Sequence, residues 1–432
     1  MAEIKRRERD TIVQALRAGV VPKLGLQHIQ VGRAAELTEL VRDVERIAEG
    51  GAAVRFVIGE YGSGKTFFLN LVRLIALEKG LVTMSADLAP NRRIHATGGQ
   101  ARSLYAEMAR NAATRSKPGG GAMASVVERF VSKARQDAEA EGVETGEAIA
   151  ERLAHFEELT GGFEFATVVR RYWEGFDTGN DELKSAALRW LRGEFATKTD
   201  ARQALGVRTI VNDASVYDHL KLMSAFAREA GYGGLLVVWD EMVNLYKLTS
   251  KQARDGNYEQ ILRVLNDVLQ GSAEHLGVLM GGTPEFLMDT RRGLYSYEAL
   301  RSRLSENSFA RDGLVDLSGP VISLQNLTPE DMFVLLQNVR RVMQDDDALP
   351  DEALEAFMRH CSERIGEAYF RTPRNTVTAF VQMLSVLEQN PGTDWHDLIE
   401  RTPIAPDGGE DMSDIEDGTA PAPDDELASF KL

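Results

Sequence analysis

Phe56-Val57-Ile58-Gly59-Glu60-Tyr61-Gly62-Ser63-Gly64-Lys65-Thr66 is the stretch on which the reading of the fold turns. It runs from a short apolar strand through a glycine turn into a segment, Thr66 to Lys79, with strong helical character and Gly80 placed as its stop. Gly59 to Thr66 matches G-x-x-x-x-G-K-[ST] in the strand-to-helix setting that motif requires. Glycines let backbone N–H groups converge on phosphate oxygens, and the helix starting there adds the positive end of its dipole. Lys65 is expected to reach the terminal phosphates and Thr66 to give its hydroxyl to Mg²⁺, a cation that prefers hard oxygen ligands. Glu60, Tyr61, Gly62, Ser63 and Gly64 line the turn, and Phe67 completes the expected nucleotide-contacting set.

Working outward, Leu81 to Ala86, Leu235 to Trp239, Leu276 to Met280 and Val321 to Leu324 are further short apolar runs separated by helical patterns. Strands alternating with helices predict an α/β fold, a parallel sheet with helices on both faces. Ala34 to Ala48 carries Leu37, Leu40, Val41, Val44 and Ile47 at helical spacing and leads into the first strand. A core over 34–324 is therefore expected, interrupted by a helical insertion at about 115–207 whose breaks are Lys117 to Gly121 and Thr160 to Gly162. Patterns at about 329–344, 351–367 and 372–390 predict a three-helix lid over 325–400.

The Leu235 run ends in Asp240-Glu241, where a parallel sheet presents its ligand site. Asp240 is expected to hold Mg²⁺ and Glu241 to polarise an attacking water, because phosphoryl transfer needs a nucleophile placed in line. Thr283 follows the next strand at the same edge and is placed to bond the water or the terminal phosphate; a plain turn threonine is the alternative. Arg301 and Arg303 are candidate arginine fingers, against a solvated basic helix, and Arg374 follows Thr372-Pro373 at a helix start expected to aim it back at the nucleotide, with a surface arginine as the alternative. Thr197-Lys198-Thr199-Asp200 matches the base-reading pattern of guanine-specific GTPases, but it precedes the Asp240 strand, so the order is wrong.

With 43% hydrophobic and 27% charged residues the chain has an ordinary globular composition, and its 432 residues imply roughly two or three structural units. No apolar run approaches the roughly 18 residues of a membrane span, and MAEIKRRERD has no apolar signal core. Cys361 is alone, so a cytoplasmic setting is expected, with neither a disulfide nor a cysteine-built metal site. The net charge of −16 is unevenly placed. About half of it lies in an acidic tail, expected to be disordered over 401–432, in which nine acidic residues from Ala405 onward face Lys431 alone. Residues 1–33 form a basic segment with Lys5, Arg6, Arg7, Arg9, Arg17, Lys23 and Arg33. DNA contact through this segment or through Arg170, Arg171, Arg189 and Arg192 is consistent with clustered cations.

Together with Ala15 to Pro22, Val31 to Leu37 and Val238 to Glu241, the Phe56 to Thr66 stretch resembles the ATP-binding proteins of BREX phage-exclusion systems, of the BrxD type, within the AAA+ class. The resemblance covers most of the chain and implies ATP with Mg²⁺. It implies that Val31, Gly32 and Arg33 pack near the adenine, that Thr283 and Arg374 are sensors, and that Arg301 or Arg303 is the finger. It also implies a homo-oligomer working with DNA-acting, helicase-type partners in antiphage defence. The acidic tail has no counterpart in that pattern. Two other readings compete: a regulatory switch or adaptor that holds ATP with little turnover, and a small-molecule kinase, which the missing acceptor lid disfavours.

Overall fold

The computed structural model describes residues 4–305, 307, 316–343 and 349–404, so the acidic segment from residue 405 onward lies outside the described residues. Five strands, β1 (Ala52–Ile58), β2 (Val82–Asp87), β3 (Leu235–Asp240), β4 (Leu276–Gly282) and β5 (Val321–Ser323), form a sheet in the order β2-β3-β4-β1-β5. β2, β3 and β4 pair in parallel, with Val82 opposite Leu235, Asp87 opposite Asp240 and Leu235 opposite Leu276. Every residue of β3 and β4 is buried, which is why both read as unbroken apolar runs without alternation. Gly277 in β4 lets the ends of the Ile47 and Leu236 side chains pack onto the strand, where a Cβ would force both to shift. This is the helix-flanked parallel sheet that the sequence predicts.

Helices α1 (Arg6–Arg17) and α2 (Ala34–Ala48) precede β1; α3 (Lys65–Glu78) follows it and stops before Gly80, whose φ is 82°. α4 (Gln100–Arg110) follows β2, and then come α5 (Met123–Glu141), α6 (Thr145–Ala154), α7 (Gly162–Asp177), α8 (Asp181–Leu191), α9 (Lys198–Leu205) and α10 (Val216–Glu229). Helices α5 to α9 fall in the expected insertion. Their core is aromatic: Phe165 stacks on Phe156 at 5.6 Å and meets Trp190 and, from α10, Phe226 edge-on. α11 (Val243–Tyr246) and α12 (Lys251–Leu269) connect β3 to β4; α13 (Pro284–Met288) and α14 (Glu298–Leu304) follow β4.

After β5 come α15 (Pro329–Met343), α16 (Asp351–Ile365), α17 (Ala368–Arg371), α18 (Pro373–Gln389) and α19 (Trp395–Arg401). The three long ones are the helices read from the pattern, and α17 and α19 are too short to show a period. α15 opens on a capping box in which the Thr328 hydroxyl accepts from Asp331 N and Asp331 Oδ2 accepts from Thr328 N, each at 3.1 Å.

The described chain divides into two compact units. One draws on residues 4–38, 57–72 and 321–404. Its core joins Ile12 and Ile29 to Met332, Leu336, Phe357, Phe380 and Leu384, so the basic first segment and the C-terminal helices share one interior. Arg17 Nε donates to Ser385 Oγ at 3.0 Å and the Thr378 hydroxyl to Leu16 O at 3.2 Å, which spends part of that segment's polarity internally. Cys361 lies in this core, and burial pushes its thiol up to about 12, leaving it inert.

The other unit draws on residues 39–56, 73–305, 307 and 316–320. Within it Arg55 of β1 is 3% exposed and is bonded to Asp43 through Nε at 2.5 Å and Nη2 at 3.2 Å, to Glu39 at 3.3 Å and to the Leu317 carbonyl at 2.8 Å. Removing one partner of such a pair strands the other charge. Arg55→Ala is expected to cost about 3–5 kcal/mol in a urea unfolding titration. A loss under about 1 kcal/mol, the scale of a surface pair, would mean that Asp43 is not held as described.

Candidate nucleotide site

The phosphate loop is built where β1 gives way to α3. Gly62 and Gly64 have φ of 73° and 87°, a left-handed backbone that side chains resist, and the turn they allow brings successive N–H groups round to one side. Ser63 N donates to Glu60 O at 3.2 Å, and α3 locks on through Phe68 N to Gly64 O at 3.0 Å. Lys65 lays its ammonium across the turn, donating to Gly59 O at 2.8 Å and Glu60 O at 2.7 Å. The Thr66 carbonyl accepts from Asn70 Nδ2 at 2.9 Å. Phe67 packs against the same core as Val31, while Tyr61 is exposed.

Residues 31–33 lie beside this loop. Gly32 has φ 60°, and a Cβ on it would sit 3.2 Å from the Asp331 carboxylate. Arg33, itself left-handed at φ 54°, donates from Nη2 to Ser63 O at 2.5 Å and to Gln325 O at 3.2 Å. Burial lowers its pKa while Glu36 and Asp331 pull it back up, so the guanidinium stays charged. Beside the expected place near the adenine, the geometry gives Arg33 a grip on the loop backbone.

Asp240 is 7% exposed at the end of β3, and its Oδ1 accepts from Glu241 N at 2.8 Å. Glu241 is exposed and left-handed at φ 57°, a conformation that costs a side-chain-bearing residue energy and persists only when its surroundings impose it. They do: Met242 N donates to Gly281 O at 3.0 Å, Asn244 N to Glu241 O at 3.0 Å and Asn244 Nδ2 to Leu88 O at 2.9 Å. Strand order sets the carboxyl ends of β3 and β4 side by side, so Thr283 emerges next to this turn. Thr283 Oγ1 caps α13, accepting from Phe286 N at 3.4 Å, which leaves its own proton available for donation.

Sequence reasoning missed the braces behind Glu241. Arg254 donates to Leu248 O at 2.5 Å and Thr249 O at 3.0 Å; Arg292 reaches Tyr246 O at 3.3 Å and Leu248 O at 3.2 Å. Tyr246 OH bonds Asp289 at 2.9 Å, and Tyr258 OH bonds Arg292 O at 2.6 Å. These side chains tie the segment after Glu241 to the segment after Thr283. In sequence they are ordinary polar residues on helices and loops, and only the fold gives them targets.

The remaining candidates have local partners. Arg301 and Arg303 are exposed on α14, the first 3.9 Å from Glu298, the second bonded to Ala299 O at 2.8 Å. Arg374, also exposed, donates from Nε to Gly19 O at 2.7 Å. Thr197 to Asp200 is a helix cap: Asp200 N donates to Thr197 Oγ1 at 3.1 Å, and that hydroxyl donates to Asp200 Oδ2 at 2.7 Å. Among the arginines considered for DNA, Arg171 pairs with Glu174 at 2.5 Å and Arg170 with Glu157 at 3.9 Å, while Arg189 covers the Phe195 ring at 4.8 Å.

A parallel α/β sheet whose interior strand β1 feeds a left-handed glycine turn and then a helix opening on Lys-Thr defines a nucleotide-binding protein of the phosphate-loop class. The chain belongs to the family of BREX system ATP-binding proteins BrxC/D, whose family model matches residues 4–403. Its ligand is accordingly ATP, and membership of a BREX system gives it other BREX proteins as associates. No curated protein matches the chain. Among the described residues no helix is long and apolar enough to cross a membrane, and no group of three or more His, Cys, Asp or Glu could hold a metal ion without help from a ligand.

Gly59 tests the loop packing. A Cβ there would stand 2.8 Å from Ser63 Oγ and 3.4 Å from Leu324 Cβ. Gly59→Ala is expected to weaken ATP binding about tenfold or more in a calorimetric titration, by distorting the turn. Unchanged affinity would mean that the loop's shape does not govern binding.

Proposed function

We propose that the chain is an AAA+ ATP hydrolase, dependent on Mg²⁺, whose turnover drives assembly or remodelling of a BREX-type defence complex acting on DNA. The observation that carries the hydrolytic part is Glu241, an exposed carboxylate held in a left-handed backbone one residue beyond the buried Asp240. Backbone strain of this kind clusters at functional sites, where it holds a group in a set position.

In this reading the loop N–H groups from Gly59 to Thr66 and the Lys65 ammonium bind the phosphates. Thr66 and Asp240 offer a hydroxyl and a carboxylate, the hard oxygen donors that suit Mg²⁺, which when bound neutralises charge on the outer phosphates. Glu241 accepts a proton from water as the water oxygen attacks the terminal phosphorus in line, and ADP departs with the bridging oxygen. Thr283 donates its hydroxyl proton to the water or the terminal phosphate. Arg301 and Arg303, exposed and held among the described residues within their own helix, suit a finger donated to a neighbouring copy, so the active form is a homo-oligomer. Arg374 acts as a lid sensor, and its bond to Gly19 must yield for it to do so. DNA, helicase-type partners and a cytoplasmic setting complete the proposal, with the lid at 325–400 and the tail at 401–432 as its separate parts.

Lys65→Ala is expected to abolish nucleotide binding, and Glu241→Gln to keep binding while slowing hydrolysis by about 100-fold or more. An intact rate in Glu241→Gln would remove Glu241 as the base. Light scattering addresses the assembly. With ATP the Glu241→Gln protein should form a defined oligomer that Arg301→Ala or Arg303→Ala prevents, whereas a monomer in every nucleotide state would contradict the finger and the motor together.

A further inference from the structure

We infer that Arg33 is a positioning residue that holds the phosphate loop in its phosphate-receiving shape by pinning the carbonyl of Ser63. This role presupposes that Gly59 to Thr66 binds the nucleotide phosphates. A trans peptide is planar with its C=O and N–H opposed, so a Ser63 carbonyl drawn to Arg33 Nη2 at 2.5 Å turns the Gly64 N–H the other way. That N–H belongs to the set expected to meet phosphate oxygens. Left to itself the unit is prone to turn over, because Gly64 at φ 87° has no Cβ to oppose rotation. The Ser63 side chain does not hold it either: its Oγ is buried and has no hydrogen-bond partner among the described residues.

Arg33 is suited to the task because it is itself immobilised. Its left-handed backbone follows a left-handed Gly32 lodged against the Asp331 carboxylate, and Gln30 Nε2 holds the Gly32 carbonyl at 2.8 Å. The guanidinium takes a second grip on Gln325 O, at 3.2 Å from Nη2 and 3.4 Å from Nε, just past β5 and ahead of the cap of α15. One planar fork therefore joins the phosphate loop to the linker that enters the C-terminal helices. A lysine has the charge without the fork.

The test is calorimetric binding of ATP and of inorganic triphosphate, each with Mg²⁺, to wild type, Arg33→Gln and Arg33→Lys. Triphosphate lacks a base, so it separates a loop-shaping residue from one that packs on adenine. The expected result is a loss of about 10- to 100-fold in Arg33→Gln for both ligands alike, with Arg33→Lys between it and wild type. Should Arg33→Gln fail to fold, Arg33→Lys alone carries the comparison, with a smaller but equal loss for the two ligands. Weakened ATP with unchanged triphosphate would overturn the role in favour of an adenine contact, and unchanged affinity for both would overturn it outright. Wild type that binds neither ligand would instead remove the nucleotide reading on which the role stands.

Discussion

A chain that must wrap backbone N–H groups around an anion has to reverse from strand to helix in a few residues, and side chains obstruct that reversal. The turn from Gly59 to Lys65 meets the constraint with left-handed Gly62 and Gly64, and its surroundings are arranged to keep it open. Lys65 bridges the two carbonyls that begin the turn, Arg33 holds the carbonyl that ends it, and β1 supplies a rigid base. Preorganisation of this kind matters because donors already aimed at the ligand cost no reorganisation when it arrives.

A second constrained turn follows β3. Glu241 occupies a backbone conformation that costs energy, and its neighbours on two other segments, Gly281 and Leu88, accept the hydrogen bonds that impose it. Behind it the guanidinium groups of Arg254 and Arg292 converge on the carbonyls of Tyr246, Leu248 and Thr249. Buried carbonyls need donors, and a charged fork satisfies several at once. In the proposed reaction Glu241 faces an attacking water, and such a group must be held firmly, since an error of about 1 Å at such a position costs rate steeply.

Much of this was legible in the sequence because the physics is local. The glycine turn needs its residues at set spacings, and strands buried on both faces announce themselves as apolar runs. What escaped depends on contacts between residues far apart in the chain. α1 is polar along most of its length, so nothing in residues 1–33 signals that Ile12 enters the core of α15, α16 and α18. Asn257 is fully buried on α12 and clamps the backbone of His95, yet in sequence it is one more polar residue on a helix. Arg33 was picked out by its motif, but the target of its guanidinium, the Ser63 carbonyl, lies 30 residues along the chain and is visible only in the fold.

The most direct test of the account is the phosphate that the purified wild-type chain releases from ATP, followed with Mg²⁺ and with EDTA alongside a measurement of bound nucleotide. Sustained release with Mg²⁺ and none with EDTA is the predicted result. Nucleotide bound in stoichiometric amount with no phosphate released under either condition would contradict hydrolysis and leave a protein that holds ATP as a switch.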